Sequence, residues 1–342
     1  MLSVLDLAFV TTATPPSQAL RASLDLARRA DRLGYHRYWV AEHHNLPSVA
    51  VAAPDILLAR IGSETDRIRL GSGGVMLPNH APLVVAERFK TLEALFPGRV
   101  DLGLGRAPGT DPVTSYALRR RQAEGLEDDF IERLQELLLF ETGDFPQGHP
   151  FRAVVAQPAD APLPPIYLLG SSDYGAVLAA RMGLGYAFAH HFASHDAVAA
   201  LRAYRGGFAP SGWRDAPHAI LAVSVIAAET AEEAERLASS ADLNGLRRAR
   251  GIYRPMPSPA EAAEHALTRE DRAVIRANRR RMFVGAPDEI AEAFAPLVQA
   301  SGADEVMIAT PVFDHDARLR SYGLIHGPLS AALARMDASA PV

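Results

Sequence analysis

"VLDLAFVTTATPPSQALRASLDLARRADRLG", residues 4–34, holds the fold in miniature: an almost wholly apolar run of strand length (4–10), then an amphipathic helical stretch (17–34). The same unit recurs along the chain. "RYWVAEHH" (37–44) precedes a helix near 53–64, "IRLGSGGV" (68–75) one near 82–96, and "VDLGLG" (100–105) one near 116–141. In the second half, "PIYLLG" (165–170), "GYAFAH" (185–190) and "AILAVSVIAA" (219–228) are each followed by a helical stretch, and "DEVMIAT" (304–310) is the eighth strand. Eight short apolar strands alternating with helices indicate a parallel sheet covered by helices. Closure into an α/β (β/α)8 TIM barrel accounts for the count, with a doubly wound open sheet as the alternative.

No composition shift marks a boundary, so 1–342 reads as a single domain with long insertions at 142–164 and 241–283. The second is polar, arginine-rich and partly helical, and it stands between strands seven and eight. Long connections in compact folds are commonly lids, and 241–283 is expected to be a mobile one.

Composition removes several chemistries. There is no cysteine, which excludes thiol nucleophiles, iron–sulfur clusters, cysteine-ligated zinc and disulfides. Lys90 is the sole lysine and lies mid-helix, which argues against Schiff-base enzymes. A net charge of −5, with arginines scattered among carboxylates, excludes a nucleic-acid partner. No run of about eighteen apolar residues spans a membrane, and the N-terminus lacks the basic start of a secretory signal. No membrane association and a cytoplasmic location are therefore expected.

Barrels of this kind build their sites at the C-terminal ends of the strands. Those ends carry Glu42-His43-His44, Gly73-Gly74 with Asn79 and His80, Gly105-Arg106, Gly170-Ser171-Ser172, and His190-His191. A metal centre is not expected, because neighbours on a strand face opposite ways and no HxH or HExxH spacing is present. No G-x-S-x-G elbow surrounds Ser171 and Ser172, which argues against a serine hydrolase. Gly170 to Asp173 instead read as a helix start, either an ordinary N-cap or an anion site. Arg106 at the neighbouring strand end suits a phosphate monoester. Asp101, Gly103 and Gly105 leave one face of strand four nearly bare, as if for something flat. Gly73-Gly74 fit either close approach of a planar, phosphate-tailed ligand or a tight turn.

Together, "AEHH" (41–44), "GSGGVMLPNHAPL" (71–83), "PGRVDLGLGRAPG" (97–109), "LLGSS" (168–172) and "FDHDARLRSYGL" (313–324) make the chain resemble the bacterial luciferase-like flavin monooxygenases over nearly its whole length. The resemblance implies a (β/α)8 barrel that takes reduced FMN from a separate NAD(P)H:flavin reductase. Through a 4a-peroxyflavin it would oxidise a small organic substrate such as an aldehyde, ketone or other apolar compound. It implies that His43 is catalytic at the reactive edge of the flavin, with a near-neutral pKa. It further implies that Gly73 and Gly74, joined by a cis peptide, and Val75 lie against the ring. Arg106 and Ser171, with Gly170, Ser172 and Tyr174 beside them, would hold the phosphate. Asn79, His80 and His191 are expected to line the substrate pocket or to support it. The luciferase alpha subunit carries a reactive cysteine where this chain has Gly105, so light emission is not expected. The alternatives are a deazaflavin-dependent hydride-transfer enzyme on the same barrel and a non-enzymatic flavin-binding protein. A homodimer is expected by analogy, with the helix around 53–61 as a candidate contact.

Overall fold

The computed structural model describes residues 1–119 and 129–339. Among them are ten strands: β1 (Leu2–Asp6), β2 (Arg37–Val40), β3 (Arg69–Ser72), β4 (Val75–Met76), β5 (Val100–Gly105), β6 (Ile166–Gly170), β7 (Gly185–Ala189), β8 (Ala219–Ala227), β9 (Met282–Gly285) and β10 (Glu305–Ala309). Eight of them close a parallel barrel in the order β1-β2-β3-β5-β6-β7-β8-β10, with Val4 opposite Ile308 and Ile308 opposite Val223 at the seam. The two-residue β4 pairs β5, and β9 pairs the far end of β8.

The helices are α1 (Pro16–Leu33), α2 (Pro54–Gly62), α3 (Pro82–Leu95), α4 (Pro112–Arg119), α5 (Phe130–Thr142), α6 (Asp173–Arg181), α7 (Ala197–Gly206), α8 (Ala231–Ala249), α9 (Pro259–Glu264), α10 (Arg269–Arg279), α11 (Pro287–Ser301) and α12 (His315–Ser339). Proline opens α1, α2, α3, α9 and α11, where its missing N–H costs nothing and its fixed φ suits the first turn. The helix expected near 116–141 is two, α4 and α5, and residues 120–128 of that stretch lie outside the described residues. No described helix is long and apolar enough to cross a membrane.

Two apolar layers hold the barrel. Leu5, Trp39, Tyr167, Ile220 and Met307 fill its interior, while the larger core lies between strands and helices. Gly71 and Gly185 make room for the interior rings: a Cβ at Gly71 would stand 2.2 Å from the Trp39 indole, and one at Gly185 2.3 Å from the Tyr167 ring. At the N-terminal end the interior closes with charge. Arg37 bonds Asp101 at 2.7 Å and Glu305 at 2.8 Å, and Arg69 bonds Asp101 at 2.6 Å. The two carboxylates are fully buried, and the guanidinium groups pair with them there.

At the other end, β8 continues past its last pairing with β10, Ser224 opposite Ala309, and pairs Ser224 to Ala227 with β9. This extension, with α8 and the start of α12, forms a small core of its own around Ile226, Leu237 and Val312. The sequence reading gives no strand at 282–285, because Met282, Phe283 and Val284 are only half buried and follow a run of arginines. The 241–283 insertion is fastened to the barrel. Met256, fully buried, donates to the Val10 carbonyl and accepts from the Thr12 N–H, both at 2.9 Å, and Thr12 Oγ1 donates to Glu261 at 2.8 Å.

Candidate active site

Beyond β2, four successive N–H groups bind four different parts of the protein. Ala41 donates to the Asp6 carbonyl (3.1 Å), Glu42 to Gly74 (3.2 Å), His43 to Val51 (2.9 Å) and His44 to Gly109 (3.3 Å). The side chains part as strand alternation requires. His44 turns to Glu42, and His43 turns the other way, where the charge of Arg248 and the His191 ring are both felt.

Glu42 is fully buried and serves three donors. Its Oε1 lies 2.8 Å from His44 Nε2 and 2.9 Å from His80 Nε2, and its Oε2 accepts the Met76 N–H at 2.9 Å. A carboxylate only accepts, so both imidazoles carry their proton on Nε2. Burial pushes the Glu42 carboxyl up, but the hydrogen bonds from His80, His44 and Met76 outweigh it and hold the carboxyl below its ordinary value. Sequence reasoning noticed Glu42 but gave it no role, since Met76 and His80 are distant in sequence.

His43 departs from the near-neutral expectation. Burial, reinforced by the Arg248 charge and only partly opposed by Glu42, lowers its pKa to about 4. His191 is likewise lowered to about 4 by burial, although it faces the Ala222 carbonyl at 3.4 Å. Both rings are therefore neutral at pH 7. His43 Nδ1 is buried and has no hydrogen-bond partner among the described residues.

The peptide between Gly73 and Gly74 is cis. The need for glycine there comes from inside the protein. A Cβ on Gly74 would lie 2.9 Å from the Gly103 carbonyl oxygen and 3.2 Å from the Gly105 nitrogen, and one on Gly73 would meet Leu5 Cδ1 at 2.8 Å. The bare face of the fourth barrel strand, β5, is not left open for a flat ligand either. The Ser72 carbonyl would be 2.0 Å from a Cβ on Gly103, and Met76 Sδ 2.8 Å from one on Gly105. Val75 sends its side chain into the core between barrel and helices, so its backbone alone is left to face a ligand. Gly73 keeps partial exposure.

On the same rim, Arg106 follows β5 and lays its guanidinium over the Tyr174 ring, 4.2 Å from the centroid. Gly170 ends β6 where a side chain would be tight, the Tyr186 hydroxyl being 3.0 Å from a would-be Cβ. Ser171 and Ser172 are half buried, and Ser172 stands at the N-cap of α6 in extended conformation without using its hydroxyl as a cap. Hydroxyls, free N–H groups and an arginine thus converge, opposed by Asp173 in the first turn. Asn79 supports the scaffold: its Nδ2 donates to the Pro108 carbonyl (2.9 Å) and its Oδ1 accepts from Arg119 (3.0 Å). His80 is occupied by Glu42. Among the described residues, no three His, Cys, Asp or Glu side chains are arranged to hold a metal.

A family model described as luciferase-like monooxygenase matches residues 1–305. The chain belongs to that family. It is an enzyme of the luciferase-like monooxygenase type, and its relatives match it nearly end to end. A luciferase-like monooxygenase of Escherichia coli K12 is 40% identical over 94% of this chain and 95% of its own. The crystal structure of apo-MsnO8 superposes with a TM-score of 0.85 at 38% identity, covering 96% of this chain and 97% of that one. More distant structures share the fold alone. They include the oxygenating constituent of 3,6-diketocamphane monooxygenase in complex with FMN (TM-score 0.71, 19% identity, 97% and 98% covered). Another is an F420-dependent secondary alcohol dehydrogenase (TM-score 0.67, 14% identity, 96% and 98% covered).

Proposed function

We propose that the enzyme is an FMN-dependent monooxygenase that receives reduced FMN from a separate NAD(P)H:flavin reductase and oxidises a small organic substrate at the mouth of the barrel. The observation that carries this reading is the buried, unpartnered Nδ1 of His43. It stands next in the chain to Glu42, whose N–H binds the Gly74 carbonyl. Such an orphan calls for a polar partner, and the edge of an isoalloxazine ring is one that the half-buried Gly73 backbone can accompany. Arg106, Ser171, Ser172 and the first N–H groups of α6 fit the phosphate at the other end of the same ligand.

Bound reduced FMN supplies the electrons and the carbon at which dioxygen reacts. The protein's part is positional and protonic. His43 is neutral in the free protein and gains basicity beside an anionic ligand, so its Nδ1 can hold or release one proton at the ring edge. Glu42, through His44, His80 and Met76, fixes the backbone on which His43 and Gly74 sit. The insertion, fastened at Met256, keeps water from the mouth. Exposed Ile56 on α2 and Leu95 on α3, at 71% and 61% exposure, support a homodimer through this side.

Anaerobic titration with reduced FMN, oxidised FMN and reduced deazaflavin tests the reading. The expected result is tightest binding of reduced FMN, followed by oxygen uptake when air is admitted. Binding of deazaflavin alone moves the enzyme to the hydride-transfer class, and binding of no flavin removes the assignment.

A further inference from the structure

The insertion brings one more cation to the barrel mouth. The last turn of α8 carries Arg247 and Arg248, and the chain then crosses to Met256, which is bonded to Val10 and Thr12 beyond β1. Arg248 is solvent-exposed, and its charge is felt by both His43 and His191. Three other arginines of the insertion are engaged. Arg250 pairs with Asp271, Arg279 bonds Asp242 at 2.7 Å, and Arg281 donates to the Phe192 and Ala193 carbonyls at 2.8 and 2.9 Å. The Arg248 carbonyl accepts the Gly251 N–H at 2.9 Å, while its guanidinium makes no hydrogen bond or ion pair with a described residue. The acidic group whose field reaches this sector is Glu42, and its oxygens are already shared by His44, His80 and Met76.

Among the described residues, the sector therefore holds a positive charge beside two neutral imidazoles, with no further anion to offset it. Close in the chain to His191 and Arg248 stand three exposed apolar side chains: Phe192 at 58%, Ile252 at 41% and Tyr253 at 55%. An exposed cation with exposed apolar side chains on the segments next to it suits a ligand with an anionic head and an apolar body. The phosphate of FMN is served elsewhere, by Arg106 and the serines at the ends of β5 and β6, whereas His43 and His191 follow β2 and β7.

We propose that Arg248 binds a carboxylate of the substrate, so that this enzyme acts on carboxylic acids with an apolar body. The inference rests on the reading of the barrel mouth as the oxidation site. Equilibrium dialysis of octanoate, 1-octanol and octylamine against the full chain, with and without saturating oxidised FMN, tests it. Octanoate is expected to bind about 10- to 100-fold more tightly than 1-octanol, the scale of one charge-assisted hydrogen bond, with octylamine weakest. In Arg248→Gln this preference disappears while the affinities for 1-octanol and FMN stay, and Arg248→Lys keeps part of it. Equal binding of octanoate and 1-octanol by the parent protein, or a preference that survives in Arg248→Gln, overturns the proposal. So does loss of FMN affinity in Arg248→Gln with octanoate unchanged, which would give the guanidinium to the flavin. A carboxylate preference without any FMN binding would leave this inference standing and remove the flavin reading; FMN binding without the preference would do the reverse.

Discussion

Alanine at position 74 is expected to damage the protein far more than alanine at position 73, and the difference follows from what each new methyl would strike. At Gly74 the Cβ meets main chain, the Gly103 carbonyl oxygen at 2.9 Å and its carbon at 3.1 Å. Main chain in a central barrel strand cannot step aside without breaking its ladder, so relief must come from shifting β4 or β5. Overpacking of this kind costs about 1–3 kcal/mol, and the upper end applies where no side chain can rotate away. At Gly73 the nearest atom is Leu5 Cδ1 at 2.8 Å, the far end of a side chain with other rotamers, and Trp39 Cβ follows at 3.2 Å. About 1 kcal/mol is expected there. Urea unfolding of both variants without ligand, with slopes checked for two-state behaviour, measures the difference, and a parallel FMN titration separates folding from binding. A Gly74→Ala protein with the parent's midpoint that has lost only FMN affinity would refute the argument, placing the demand for glycine with the ligand rather than with β5.

Arg106→Ala should raise the Kd for FMN by about 10- to 100-fold and leave riboflavin within about twofold, because only FMN has the phosphate; equal losses measured by flavin fluorescence would remove the clamp. Glu42→Ala strands the partly buried Met76 N–H and the two imidazole donors, and should lower unfolding stability by about 3 kcal/mol; Glu42→Gln, which keeps one acceptor, should recover part of it. His43 and His191 give a dependence on pH. Their folded pKa of about 4 lies below the unfolded value of about 6.5, so their contribution is fully present above pH 6.5. It falls by up to about 1.4 kcal/mol per pH unit for each ring as pH descends toward 4. His43→Gln should remove one such slope between pH 6 and 4.5, and an identical profile in variant and parent would contradict the assignment.

The eight barrel strands could be read from the sequence because a parallel strand buried on both faces is a continuous apolar run, as "VLDLAFV" and "AILAVSVIAA" are. The strand at 282–285 could not, since its pairing with β8 lies outside the barrel and half in solvent. At the site, residue types were legible and their reasons were not. Gly73, Gly74 and the glycines of β5 stood out, but the atoms that require them belong to Leu5, Ser72, Met76 and the facing main chain, contacts that exist only once the sheet has closed. His43 was found through its motif, whereas its low pKa comes from burial and from Arg248, more than 200 residues away in sequence. Arg248 itself was hidden among the other arginines of the insertion, most of them spent on surface charge.

The four consecutive N–H bonds of residues 41–44 bear on how such an enzyme can diversify. Loops are where barrels ordinarily change their substrates while the strands stay constant. Here the carbonyls of Val51 and Gly109, both in connecting segments, hold the main chain of His43 and His44. A change that reshapes either segment to admit a new molecule also shifts the main chain that carries the His43 imidazole. If His43 acts as proposed, a library that randomises residues around 51 or 109 should yield variants whose specificity and turnover drift in step.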